Sequence, residues 1–365
     1  MASNLDIRQT STIDLSTVAD YEVATKDTDA MGGEKENKWI NTNFTKYYGF
    51  YDSVGEYKSA INSFATWVIG QGYECLSMGT KVNLDHIIGW GEDTFLSIIW
   101  NMIVTKKFAG DSYAEIITDN NKPLPEGKLI NLKTLNPSRV AHILDNQGII
   151  KRYEYTRLDG NTDNFEPNEI LHFCNDRVLD EPHGTATTKA VEWVIEALQE
   201  ARRDWKRISH LSTVRILYVD EDNKERRAEL ERDYSKAIEN GTVLIIPAKK
   251  GDAEFQDLNL PPVEAFLAWI RYLENQFYQA LGVPKVVLGG TQENTEASAK
   301  IGVLVYEPVW TREISELEAD LWNQLGIKIK VNKQPSMMDS LQTQEGKNNA
   351  QTGFQPNDVT AGSGK

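Results

Sequence analysis

The chain is poor in cysteine and in net positive charge, and it has no long apolar run. Its two cysteines, Cys75 and Cys174, lie far apart in the 365 residues. They are too few for a disulfide framework and fit a reducing compartment. No uninterrupted apolar stretch reaches about 18 residues, so no helical membrane span and no membrane partner are expected. The amino-terminal stretch MASNLDIRQTSTIDLST is polar and lacks the apolar core of a secretory signal. Cations are outnumbered, with 39 Lys and Arg against 54 Asp and Glu and a formal net charge of -15. A protein that coats nucleic acid draws its affinity from cations that release counterions from phosphate, so this balance excludes a coat. A conduit survives that exclusion, because a strongly basic lumen would hold DNA rather than let it slide.

Catalytic signatures are missing as well. There is no His-Glu-x-x-His, no Gly-x-Ser-x-Gly and no dinucleotide fingerprint. Gly289-Gly290-Thr291 precedes a helical pattern, but the Gly-Lys-Ser/Thr ending of a phosphate loop is absent and Glu293 and Glu296 would repel phosphate. Asp220-Glu221-Asp222 reads as a solvated turn in so acidic a chain. His172 and Cys174, two apart, would share one face of a strand. No other Cys or His has the spacing zinc requires, and His183 sits in a loop, so a packed strand is the favoured reading. No catalytic residue, metal or cofactor is expected.

What is present is a sequence of contrasting segments, enough for two or three domains. Residues 1–45 are polar, with mixed charge at Glu34, Lys35, Glu36 and Lys38, and predict a flexible arm. Helical spacing follows in Tyr57, Ile61, Phe64, Ala65 and Val68. A second helix is predicted over about Asp85 to Lys106, with Leu96, Ile99, Trp100 and Ile103 as its inner face. Short β-branched and aromatic segments come next: Tyr113–Thr118, Leu129–Leu135, Val140–Leu144, Ile149–Thr156 and Glu169–Phe173. They predict one small antiparallel sheet on the preceding helices, an α+β domain.

From Thr187 to His210 an amphipathic helix carries the stripe Val191, Val194, Ile195, Leu198, Ala201, Trp205 and Ile208. Glu192, Glu196 and Glu200 precede Arg202, Arg203, Lys206 and Arg207 along its axis. The basic cluster either complements the helix dipole or contacts phosphates or an acidic subunit. Residues 212–260 predict a β-α-β-β insert: strand Arg215–Val219, helix Lys224–Asn240, then strands Thr242–Pro247 and Ala253–Leu260. The next helix runs from Pro261-Pro262 to Gly282. Its stripe is Phe266, Ile270, Leu273, Phe277 and Leu281, with Trp269 and Tyr272 outside it. Two apolar faces fit either a central core helix or a helix wedged between subunits. A last long helix starts near Asn294-Thr295 and contains Pro308, which should kink it. After Ile327–Val331, a Gly-, Asn-, Gln- and Ser-rich tail predicts disorder over 332–365.

The order of these elements resembles the portal proteins of tailed viruses. The likeness runs from about Phe108 to Leu325. It rests on Phe108-Ala-Gly-Asp-Ser-Tyr-Ala-Glu115, Leu132-Lys-Thr-Leu-Asn-Pro137, Phe165-Glu-Pro-Asn-Glu-Ile-Leu-His-Phe173 followed by His183-Gly184, and Ala280-Leu-Gly-Val-Pro284, before a helix containing Glu307-Pro308. Many members have Gly-Ser-Pro where this chain has Gly184-Thr-Ala-Thr-Thr188. Little helical pattern follows Leu325, which argues against a large crown.

The resemblance implies a non-enzymatic ring, typically of twelve subunits, around a double-stranded DNA channel at one capsid vertex. It implies a wing over 46–186, a first stem helix over 187–211 and a clip over 212–260. A second stem helix over 261–282, a tunnel loop over 283–295 and a kinked helix with a short crown over 296–331 complete the portal fold. Leu288, Gly289, Gly290, Thr291, Gln292, Glu293 and Asn294 would line the channel at the tunnel loop. Implied partners are other copies of the chain, the terminase large subunit, the head–tail adaptor, and the major capsid and scaffolding proteins. The ring would assemble in the host cytoplasm, reside in the virion, and serve genome packaging, retention and ejection. Alternatives are another oligomeric virion protein, such as an adaptor or minor capsid protein, or a nucleic-acid-processing enzyme with scattered carboxylates.

Overall fold

The computed structural model describes residues 26–28, 36–119, 124, 127–145, 147–179, 181–211, 215–219, 253–257, 263–288, 296–334 and 336, with helical positions 225, 228, 229, 232, 233, 235 and 236. The chain forms two compact units, Met1–Thr188 with Val286–Lys365, and Lys189–Lys285.

The first unit is built around helix α4 (Phe95–Ala109). Thr94 and Ser97 close a reciprocal capping box at its start, and Gly110 ends it at φ +95°. Phe95, Ile98, Ile99, Met102, Ile103, Val104 and Phe108 are all buried. So wide an apolar arc suits a helix packed against α1 (Phe44–Ser53), α2 (Gly55–Ile69) and a sheet at once. The expected helix from Asp85 is two elements: α3 (Met78–Asp85) ends, and a turn with Gly89 at φ +53° and Gly91 at φ +138° separates it from α4. Glycine adopts such angles without a Cβ clash. The inner face is also turned from the expected one: Leu96 and Trp100 are only half-buried. In α2 the predicted positions Tyr57, Ile61, Phe64, Ala65 and Val68 are all buried.

The expected single sheet is two sheets. Strand β4 (Asp111–Thr118) is flanked by β5 (Leu129–Leu135) and β9 (Ile170–Cys174), both antiparallel. With both edges of β4 taken, the turn Pro137–Arg139, capped by Asn136, leads β6 (Val140–Leu144) into a separate sheet. That sheet runs β1 (Lys26–Thr28), β2 (Glu36–Ile40), β6, β7 (Ile150–Thr156), β8 (Thr162–Phe165). The expected arm over 1–45 is thereby corrected at its end. Asn37–Ile40 pair with β6, and Lys38 binds Glu154 at 2.8 Å, so this one of the mixed charges has a partner in the sheet. Residues 1–25 lie outside the described residues.

The last long helix, α7 in this chain (Glu296–Leu325), belongs to the first unit. Tyr306, Trp310, Ile314, Leu317, Leu321 and Leu325 are buried at helical spacing, while Ile301, Val305 and Val309 are exposed. Strand β12 (Ile329–Val331) then pairs with β3 (Tyr73–Cys75). The predicted disorder from 332 is corrected at its first residues. Asn332 donates from its backbone to Gly72 O and from its side chain to Gln71 O, and Gln334 accepts from Gln71. Apart from Ser336, residues 335–365 lie outside the described residues.

The second unit holds α5 (Thr187–Leu211) from Lys189 onward, the strand pair β10 (Arg215–Val219) and β11 (Ala253–Asp257), and α6 (Val263–Leu281). Trp205 of α5 stacks on Phe266 of α6, their ring centroids 5.1 Å apart. Strands β10 and β11 pair antiparallel in full register. The predicted strand Thr242–Pro247 lies outside the described residues.

Candidate functional site

Leu288 ends a short 3-10 turn, Lys285–Leu288, and is half-buried. Just before it, Val283 is buried, and Lys285 lies over the Tyr278 ring and 3.6 Å from Glu274. Gly289, Gly290, Thr291, Gln292, Glu293 and Asn294 lie outside the described residues. Of the basic cluster, Arg202, Arg203 and Lys206 are exposed, and the Arg207 side chain lies outside the described residues. Arg203 Nε donates to the Gln199 carbonyl one turn back, at 3.3 Å. Pro308 sits inside α7, where it cannot donate to the Leu304 carbonyl. On either side of it, Tyr306 and Trp310 pack edgewise and tilted on Trp67 of α2, at 5.9 and 6.0 Å.

The structure adds a buried polar system where α7, α4 and the root of α5 meet within the first unit. Glu313 of α7 is 4% exposed and pairs with Lys106 and, at 3.0 Å, with Lys107 at the end of α4. Burial alone would raise its carboxyl pKa, but the two ammonium groups outweigh burial and hold it below 4.5. Lys107 also donates to Asn175 Oδ1 at 2.8 Å. Asn175 in turn accepts from Thr185 N and donates its side-chain amide to Thr185 O, while its own N–H goes to Gly110 O. Thr188 donates to Phe108 O at 2.6 Å and bonds the Tyr57 hydroxyl. The chain entering α5 is thus fastened to the end of α4 by both backbone and side chains.

Two glycines make that junction possible. A Cβ on Gly184 would lie 2.2 Å from Gly110 O and 2.7 Å from Asn175 N and O. A Cβ on Gly110 would lie 2.3 Å from Gly184 O. Backbone meets backbone here, and any side chain would part them.

Next to the glycines lies Asp111, fully buried. Its carboxylate meets His172 Nε2 at 2.8 Å and His183 Nδ1 at 2.9 Å, and it accepts from Gly184 N. Burial pushes this carboxyl up, but the two imidazoles overcome that and hold it far below the ordinary 3.8. Tyr153 Oη bonds His172 Nδ1, and Tyr113 Oη bonds His142 Nε2 at 2.7 Å. Burial, with His183 and His172 nearby, pushes His142 well below 6.5. Burial and the Asp111 charge push the Cys174 thiol up to about 12. His172 and Cys174 do share a strand face, as their spacing predicts. The sequence reading missed Asp111 and His142 as their neighbours, and left His183 in a loop. The one local signal was a carboxylate at the head of a strand whose first five residues are nearly all buried, a burial the sequence does not display.

The model of the family described as phage portal protein matches residues 92–344, more than half of the chain. The chain belongs to the phage portal protein family. No curated protein matches it. Among solved structures, it is similar to a chain in the neck of an empty GTA particle computed with C6 symmetry. That match has a TM-score of 0.61 at 15% identity and covers 86% of this chain and 90% of the other. A chain in the virion of a native gene transfer agent gives a TM-score of 0.59 at 18% identity, covering 86% and 90%. An HK97 family phage portal protein from Corynebacterium diphtheriae gives 0.52 at 14%, covering 78% and 94%. At such identities the likeness shows the fold, and the α+β architecture described above is the portal fold. The family is one of structural virion components.

Proposed function

We propose that this phage portal family member forms a ring, of about twelve subunits as portals typically do, around a channel for double-stranded DNA at one capsid vertex. Genome packaging, retention and ejection pass through that channel. The observation that carries this reading is the family match spanning 92–344, which takes in α4, strands β4 to β11, α5, α6 and α7. In support, the net charge of -15 suits a passage over which phosphates must slide. The chain acts mechanically and without catalysis. The insert 212–260 serves as the clip, docking first the terminase large subunit and then the head–tail adaptor. The outer parts meet the major capsid and scaffolding proteins during assembly in the host cytoplasm.

Within the ring, α5 and α6 are the stem helices, and the loop over 283–295 narrows the channel through Leu288–Asn294. Helix α7, bent at Pro308, braces that loop. Negative-stain images and a mass measurement of the purified protein test the reading. A closed ring with a central hole is expected; a monomer across salt and concentration sinks it. Deletion of Gly289–Asn294 is expected to leave the ring intact and to impair DNA packaging or retention. Loss of the ring in that variant would make the loop structural instead.

A further inference from the structure

Asp111, His172 and Cys174 offer three different donors from two neighbouring strands. Asp111 lies directly opposite Cys174 in the β4–β9 pair, and His172 is two residues from Cys174 on the same face. Convergence therefore follows from strand register rather than from a mobile loop. One carboxylate oxygen, one imidazole nitrogen and the thiol sulfur all lie within 4.8 Å of one another. A tetrahedral ion with bonds of about 2.0–2.3 Å holds its donors roughly 3.3–3.8 Å apart. The widest donor separation would close toward that spacing, and the 2.8 Å Asp111–His172 hydrogen bond would open and be replaced by the two bonds to the ion.

The surroundings are those that metal ligands need. A ligating histidine is oriented by a partner on its other nitrogen, and Tyr153 Oη holds His172 Nδ1 at 3.2 Å. A ligating carboxylate is itself hydrogen-bonded, and His183 Nδ1 and Gly184 N sit on Asp111. His183 Nε2 and His142 Nδ1 are buried without a hydrogen-bond partner among the described residues, and their rings stack 4.2 Å apart. Three of the chain's five histidines thus crowd a pocket around one carboxylate. Arg177 lies next to the thiol and hydrogen-bonds it, so an ion there would share the pocket with that guanidinium.

We infer that Asp111, His172 and Cys174 bind one divalent transition-metal ion of the zinc class, with His183 and Tyr153 orienting the ligands. The mixed O, N and S donor set disfavours magnesium and calcium. The ion would tie the start of β4 to the end of β9, beside the glycine junction at the root of α5. This assignment stands apart from the channel reading and holds or fails without it.

The test uses the intact protein stripped with chelator. Zinc alone is expected to bind at one ion per chain, and cobalt to give tetrahedral visible bands with a sulfur charge-transfer band. Cys174→Ser and His172→Gln are expected to lower affinity at least tenfold and abolish the charge-transfer band. A second readout needs no variant. Zinc should slow alkylation of Cys174 at least tenfold while leaving Cys75 unchanged, both thiols being free and partly exposed. Absence of uptake, uptake untouched by both substitutions, or equal alkylation of Cys174 with and without zinc overturns the assignment.

Discussion

Helices α4 and α6 carry similar amounts of apolar and aromatic surface and treat it in opposite ways. In α4 nearly every apolar side chain is buried, and even Lys106, 2% exposed, is matched by Glu313. Among the described side chains of α6 only Leu273 and Phe277 are buried, while Leu267, Trp269 and Tyr272 stand exposed, the last two rings stacked 5.6 Å apart. The first is a helix completed by its own chain. The second leaves aromatic surface of the kind that favours interfaces, which is the physical content of placing it in a stem between subunits. Within its own unit α6 thus buries part of one stripe and leaves its second apolar face exposed, where a core helix buried on both faces would cover it.

The comparison breaks first at Glu313. Replacing it with Ala leaves Lys106 and Lys107 facing each other without a carboxylate, and should cost about 3–5 kcal/mol in chemical denaturation. The exposed pair Arg312–Glu316, one turn away, should change by no more than about 0.5 kcal/mol when cut. Acid should act through the same buried groups. The folded carboxyls of Glu313 and Asp111 lie below their ordinary 4.5 and 3.8. Their contribution is therefore complete above those values and is lost as pH falls below them toward the folded values. Denaturation midpoints measured from neutral pH downward should decline there, and less steeply in a variant that lacks the Glu313 carboxylate.

Gly184→Ala comes next. A methyl group against backbone on several sides should destabilise the first unit by about 3 kcal/mol, read as a fall in melting temperature or in soluble yield. Trp269→Ser with Tyr272→Ser should barely move the stability of the isolated chain, within about 1 kcal/mol. If α6 is covered by a neighbouring subunit, the same pair should shift the ring toward monomer in a mass measurement, by about 2 kcal/mol or more per contact. An unchanged ring would remove α6 from the interface. The smallest effect belongs to Arg203→Glu with Arg207→Glu, expected within about 0.5 kcal/mol in stability. Altered DNA content of assembled particles would place the cluster against phosphate, and unchanged content would return it to the helix dipole.

Local spacing made some parts of this molecule legible. The buried face of α2, from Tyr57 to Val68, followed from a 3.6-residue repeat, and β4, β6 and β9 followed from short β-rich runs between turn formers. Helix starts and stops were less legible, because the break before α4 depends on two glycines at positive φ and on a Thr94–Ser97 cap. The partition into two sheets was not legible at all. It depends on which strand claims the free edge of β6, and that strand came from a segment whose polarity read as an arm.

The sequence by itself determined the class: an acidic α+β chain without catalytic signatures, with long helices around a small insert and an order of elements that points to a portal. Those properties live in composition and in repeats a few residues long, so they survive without coordinates. Only the tertiary structure decided which polar residues are buried together. Asp111, His142, His172 and His183 come from four separate segments, and Lys106, Lys107 and Glu313 from two helices some two hundred residues apart. No spacing rule connects such residues. Their pairing follows from strand register and helix packing, which bring charges out of water only where a partner is already in place.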